Sequence, residues 1–82
     1  MMPIQIEIEY CVPCGYQNLA SWTLSEMFSA VGTRASVSVK PGDSGVYKIS
    51  VNGDVWYDKA EQGRTPDIND MKDLKARLSN LG

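Results

Sequence analysis

Two cysteines three positions apart, Cys11-Val12-Pro13-Cys14, are the residues of this chain best suited to chemistry. Thiols at this spacing can close on each other, so the segment can cycle between a dithiol and a disulfide. The attacking form is the thiolate, which a helix N-terminus favours through its free N–H groups and dipole. There is no histidine. No imidazole can act as base or metal ligand, so thiol activation must come from a helix terminus, hydrogen bonds or a nearby cation. Structural zinc takes four N or S ligands. Two cysteines without histidine could supply it only by sharing a site between two chains or with carboxylate help. The expectation is therefore no metal and no organic cofactor.

The elements on either side place the pair. Ile4-Gln5-Ile6-Glu7-Ile8-Glu9-Tyr10 alternates apolar and polar as a half-buried strand does, giving a first strand over about 3–10. A helix over about 14–31 follows, its stripe made of Tyr16, Leu19, Ala20, Leu24, Met27, Phe28 and Val31, with Gly32 ending it. The cysteines thus fall where strand hands over to helix. A second strand over about 34–40 carries Ala35, Val37 and Val39 on one face. Pro41 to Gly45 reads as a loop. Strands at about 46–51 and 54–59 are joined by Asn52-Gly53, a strong hairpin signal. Lys59 to Thr65 reads as a polar loop. Pro66 suits the first turn of a second helix, capped by Thr65 or Asp67, with a stripe of Ile68, Met71, Leu74, Leu78 and Leu81.

Strands that alternate, rather than being apolar throughout, imply a sheet covered on one face only. The reading is a single α/β domain over 1–82, of the α+β two-layer kind. Its order is β-α-β-β-β-α, with a four-stranded mixed sheet and both helices on one face. The first two strands should be parallel through a right-handed crossover, and the last two antiparallel. This topology brings the loops Pro41–Gly45 and Glu61–Pro66 to the sheet edge that holds the cysteines, where sites of such sheets usually form.

Composition narrows the function classes. The 82 residues carry a net charge of −2 and no basic cluster, which argues against a nucleic-acid surface. No apolar run reaches the ~18–20 residues that span a bilayer. The start shows no signal-peptide pattern. The expected setting is the reducing cytoplasm, where a lone cysteine pair is redox-active or metal-binding more often than structural.

The order strand, Cys-x-x-Cys, helix within β-α-β-β-β-α resembles a reduced thioredoxin-like fold. Three segments narrow the resemblance: Tyr10-Cys11-Val12-Pro13-Cys14-Gly15-Tyr16, Gly45-Val46-Tyr47-Lys48-Ile49-Ser50-Val51-Asn52-Gly53, and Gly63-Arg64-Thr65-Pro66-Asp67. Together they resemble the selenoprotein W-like branch of the Rdx family, and the likeness covers nearly the whole chain. It implies thiol–disulfide oxidoreductase chemistry in cell redox homeostasis, often linked to glutathione. In the selenocysteine-containing members selenocysteine holds the second position of the motif. By that likeness Cys14 attacks and Cys11 resolves, whereas in ordinary thioredoxins the first cysteine attacks. Two departures stand out. Thioredoxins place a cis-proline before the strand facing the pair, where this chain has Ser44-Gly45. Bacterial relatives often have Gly-Gly-Phe-Pro before the last helix, where this chain has Gly63-Arg64-Thr65-Pro66.

The catalytic candidates are Cys11 and Cys14. Candidates for holding a substrate or partner are Tyr10, Val12, Pro13, Gly15, Tyr16, Ser44, Gly45, Arg64, Thr65 and Pro66. Pro13 either stiffens the start of the first helix or tunes the reduction potential by fixing the geometry between the sulfurs. Tyr10 and Tyr16 either pack or donate a phenol to a thiolate. Arg64 is the cation expected nearest the pair, to pair with a thiolate or carboxylate or to stay solvated. The expected partners are proteins bearing thiols or disulfides, glutathione, and a second copy in a weak homodimer. A different reading is a binding module in which the pair is a redox switch without turnover. A zinc-bridged dimer is a third.

Overall fold

The computed structural model describes residues 4–80, apart from the side chain of Thr33. The start expected for the first strand at Pro3 and the end of the last stripe at Leu81 lie outside them.

The first strand, β1 (Ile4–Cys11), sits inside a sheet of order β2-β1-β3-β4, with β2 Ala35–Gly42, β3 Tyr47–Val51 and β4 Asp54–Asp58. β1 runs parallel to β2 and antiparallel to β3, and β3 is antiparallel to β4. The mixed sheet and the parallel first pair match the reading of the sequence. Period-two alternation carries through: Ile6, Ile8, Tyr47, Ile49 and Val51 are buried, while Gln5 and Glu7 are exposed. Asn52 and Gly53 both take positive φ, 52° and 87°, as a two-residue hairpin loop of the primed type needs. Asn52 also exchanges hydrogen bonds with Gln5, which ties the hairpin tip to β1. A bulge between Ile49 and Ser50 leaves Trp56 as the extra residue of β4.

The helix α1 (Gln17–Val31) ends at Gly32, φ 56°, and a 3₁₀ turn (Gly32–Arg34) leads into β2. Its buried face is Ala20, Thr23, Met27 and Val31. Phe28, expected in the stripe, is 45% exposed. Thr23, left out of the stripe as polar, lies inside because its hydroxyl meets that of Tyr47. The segment read as a polar loop after β4 contains a single helical turn, α2 (Lys59–Gln62), capped by the Asp58 carboxylate on the Ala60 N–H.

The last helix, α3 (Ile68–Ser79), starts two residues later than Pro66 suggested. Asp67 is its cap, accepting from the N–H groups of Asn69 and Asp70, while the Asp70 carboxylate accepts from the Asp67 N–H. A reciprocal box of this kind satisfies orphan donors that a proline in the first turn would not. Pro66 lies just outside the helix and is buried. Ile68, counted in the stripe, is 52% exposed. Met71, Leu74 and Leu78 join the core formed by β1, β3 and α1, so α1 and α3 lie over the same sheet face. A Lys75–Glu26 ion pair at 3.0 Å links the two helices.

Candidate functional site

The cysteine pair sits where β1 ends. Cys11 is the last residue of that strand, and Val12 to Tyr16 form a turn before α1 begins at Gln17. Four backbone bonds hold the turn, one of them inside it, from the Gly15 N–H to the Val12 carbonyl at 3.1 Å. The Cys11 N–H donates to the Val46 carbonyl at 2.8 Å, and the Val12 N–H to the Gly42 carbonyl at 3.1 Å. The Tyr16 N–H returns to the Cys11 carbonyl at 3.3 Å. The end of β2 and the start of β3 therefore grip the pair from both sides, as the topology required. Gly15, with φ 79°, supplies the left-handed residue on which the turn reverses.

The cysteines are joined as a disulfide, with Cα atoms 5.3 Å apart. They are unequal. Cys11 is fully buried and Cys14 is exposed. Cys11 is also absent from the main core cluster, although Ile6 and Ile8 of the same strand belong to it. Burial of its sulfur is thus a local matter at the strand end.

Tyr10 and Tyr16 are half-buried and pack against the core. Tyr16 meets the ring of Tyr47 edge-on, centroids 6.0 Å apart. Tyr47, missed by the sequence reading, is the pin behind the turn. It follows Val46 and pairs with Tyr10, and its hydroxyl donates to the Leu19 carbonyl and shares a hydrogen bond with the Thr23 hydroxyl. Burial pushes its phenol up to about 12, against the opposing hydrogen bond from Thr23. Its sequence signal is its place on the apolar face of β3, in alternation with Ile49 and Val51.

Val12, between the cysteines, is exposed, and so is Pro13. Ser44 and Gly45 form the β2–β3 turn with positive φ, one residue before the carbonyl that holds Cys11. The expected cation lies differently. The Arg64 guanidinium bonds the Asp70 carboxylate at 2.5 Å and lies 3.6 Å from Asp67, which commits it to the cap of α3. This holds the Asp70 carboxyl below its usual range. The Arg64 carbonyl accepts from the Tyr57 hydroxyl, and Thr65 and Pro66 bring the chain into α3. Lys59 approaches the β2–β3 turn, its Nζ 3.8 Å from where a Gly45 Cβ would stand.

The helix behind the pair is open at its start. Tyr16, the N-cap residue, gives no side-chain cap, and the first turn holds no acidic residue. The first i→i−4 bond is Ala20 N–H to Tyr16 carbonyl at 2.9 Å. The N–H groups ahead of it form the positive end of α1, which begins at Gln17, three residues after Cys14 rather than at Cys14 itself.

The sequence pattern of the Rdx family matches residues 5–78. The chain belongs to the Rdx family. It is 31% identical over 80 residues to Migration and invasion enhancer 1 of Bos taurus and of Mus musculus, covering 94% of this chain. The chain spans 66% of the length of those relatives. Two solved structures share the fold of this Rdx chain closely. A selenoprotein W-related protein of Vibrio cholerae superposes with a TM-score of 0.84 at 28% identity, over 96% of both chains. A protein of Bordetella parapertussis gives 0.81 at 32% identity, over 92% of this chain and 95% of its own. The resemblance read from the three motif segments is thus shown, and with it the thioredoxin-like arrangement. Among the described residues, no helix is long and apolar enough to cross a membrane.

Proposed function

We propose that this chain is a thiol–disulfide oxidoreductase in which Cys14 attacks and Cys11 resolves. The observation that carries the order is the difference in exposure across one pair: Cys14 is open to solvent and Cys11 is fully buried. A bulky disulfide can reach the first sulfur and not the second. In the reduced protein the Cys14 thiolate lies at the uncapped positive end of α1, which lowers the cost of its charge.

The reaction runs in two exchanges. The Cys14 thiolate attacks one sulfur of a substrate disulfide, forms a mixed disulfide and releases the other sulfur as a thiolate. Cys11 then loses its proton and attacks the Cys14 sulfur. The substrate's second sulfur leaves, and the Cys11–Cys14 disulfide remains. Two electrons have passed to the substrate. Thiols of glutathione or of a protein restore the dithiol by the reverse exchanges, and no metal or organic cofactor takes part. The cytoplasm, which keeps thiols reduced, is the setting this cycle needs.

The test is trapping. With Cys11→Ser, a mixed disulfide with glutathione or a model peptide should accumulate on Cys14. With Cys14→Ser, little should form. The couple should titrate reversibly between roughly −270 and −180 mV, the span of working thioredoxin-fold enzymes. A pair that forms no intramolecular disulfide at any poise would sink the reading.

A further inference from the structure

We propose that Glu9 is the proton acceptor for Cys11 in the resolving exchange, an inference that rests on the order of attack given above. The resolving step needs a base. Cys11 is fully buried, a burial that disfavours its thiolate, and the chain has no histidine.

The register brings one carboxylate to the rung of that cysteine. Glu9 and Cys11 are separated by one residue on β1, so their side chains leave the same face of the sheet, opposite to Ile6 and Ile8. Across the sheet Glu9 is level with Lys40 of β2, and Cys11 is level with Gly42. The Glu9 side chain does not stay level with Lys40. A Cβ built on Gly42 would lie 3.2 Å from Glu9 Oε2 and 3.3 Å from its Cγ. The carboxylate has therefore bent along the strand, onto the rung that Cys11 occupies. The absent side chain of Gly42 leaves it that space, and Val46 closes the other side, with Cγ1 2.7 Å from the same point. The side chain is half-buried, and among the described residues it takes part in no ion pair. Its carboxylate is free to take a proton directly or through one water.

In the resolving exchange the Cys11 S–H proton passes to Glu9 as the Cys11 sulfur bonds to Cys14 and the substrate thiolate departs. In the reverse direction a thiolate attacks the exposed Cys14 sulfur. Cys11 leaves and takes the proton back from the Glu9 carboxylic acid. The other charged groups around Glu9 are Glu7 on its own strand, Lys40 on β2, Lys48 on β3, Asp58 beyond it on β4, Asp43 at the β2–β3 turn, and Lys59 of α2, whose Nζ reaches that turn. The two lysines level with Glu9 are cations and cannot accept a proton, Asp58 accepts from the Ala60 N–H at the start of α2, and Glu9 is the carboxylate whose oxygen lies at the Gly42 position level with Cys11.

The experiment is a single turnover of the reduced protein with a symmetric aromatic disulfide whose released thiolate is coloured. Attack by Cys14 releases the first thiolate and resolution by Cys11 the second, so the two steps appear as two phases. In Glu9→Gln the first phase should be unchanged. The second should slow by about a hundredfold or more near neutral pH, the low end of the range for a lost general base. It should also climb steadily with hydroxide, where the wild type is flatter. Glu9→Asp keeps a carboxylate but withdraws it from the Gly42 rung. It should give an intermediate second phase, and it serves as the test if Glu9→Gln does not fold. A second phase within twofold of wild type in the folded variants overturns the role of Glu9 and leaves the two-step exchange standing. A wild type that never releases the second thiolate overturns both.

Discussion

Tyr47 and Thr23 place their hydroxyls 2.5 Å apart in the buried seam between β3 and α1. Both also reach the Leu19 carbonyl, at 3.1 and 3.0 Å. Two hydroxyl protons serve three contacts, so each group can lose its partner and still be satisfied at Leu19. Tyr47→Phe or Thr23→Val should therefore cost only about 1 kcal/mol each, and Tyr47→Ala about 3–5 kcal/mol through the lost ring. Urea unfolding of the single and double variants measures both the costs and the coupling between the two hydroxyls.

The same phenol predicts an alkaline limit. Its pKa is 10.0 when unfolded and about 12 when folded, so the folded chain keeps a proton that the unfolded chain loses. Stability is then intact below pH 10 and falls as pH rises from there toward 12. Tyr57 is shifted in the same direction. The contribution of Tyr47 is therefore the difference between wild type and Tyr47→Phe in unfolding free energy against pH, and it should be flatter in the variant.

At the other end of the scale, Asp70 titrates against Arg64. The Arg64 hydrogen bond lowers its pKa below 3.8, so the stability it adds is present above that value. It is lost as pH falls through the folded pKa. Asp70→Asn should flatten the acid limb of the stability curve, and Asp67→Ala should cost about 1 kcal/mol through the missing cap. Thermal unfolding over an acid series checks both.

Two glycines at the site should fail for opposite reasons. An alanine at Gly42 has an ordinary backbone but no room, its Cβ 2.7 Å from Val46. It should cost about 1–3 kcal/mol, the range for forced overpacking. An alanine at Gly15 has room but sits at φ 79° and should cost about 1–2 kcal/mol. Refolded stability separates the two, and Gly42→Ala should in addition perturb the Val12 amide signal.

In the reduced protein, alkylation should be one-sided. The exposed Cys14 should react at least about tenfold faster than buried Cys11, because thiolate character and access both favour it. Mass analysis of briefly alkylated protein, peptide by peptide, reads the ratio directly.

Much of this arrangement was legible in the residues. Alternation in β1, the Asn52-Gly53 turn and the stripe Met71-Leu74-Leu78 are local signals, and local signals fixed the element order and the parallel first pair. The motif segments carried the family. What escaped depends on distant partners. Thr23 looked polar until Tyr47 arrived from β3. Arg64 looked free for the sulfurs because nothing in its neighbourhood announced that Asp70, a helical turn into α3, would hold it. The start of α3 moved past Pro66 because Asp67 and Asp70 cap each other. Glu9 read as an ordinary solvated rung of a strand. Its lean toward Gly42 is set by a register between residues far apart in sequence.

The carbonyls that hold Cys11 and Val12 lie roughly thirty residues further along the chain, at Val46 and Gly42. A chain emerging from the ribosome therefore shows two equivalent thiols until β3 has been made. The difference between the two sulfurs, on which ordered exchange depends, arises only when the non-local pairing of β1 with β2 and β3 closes, one of the slower kinds of step in folding.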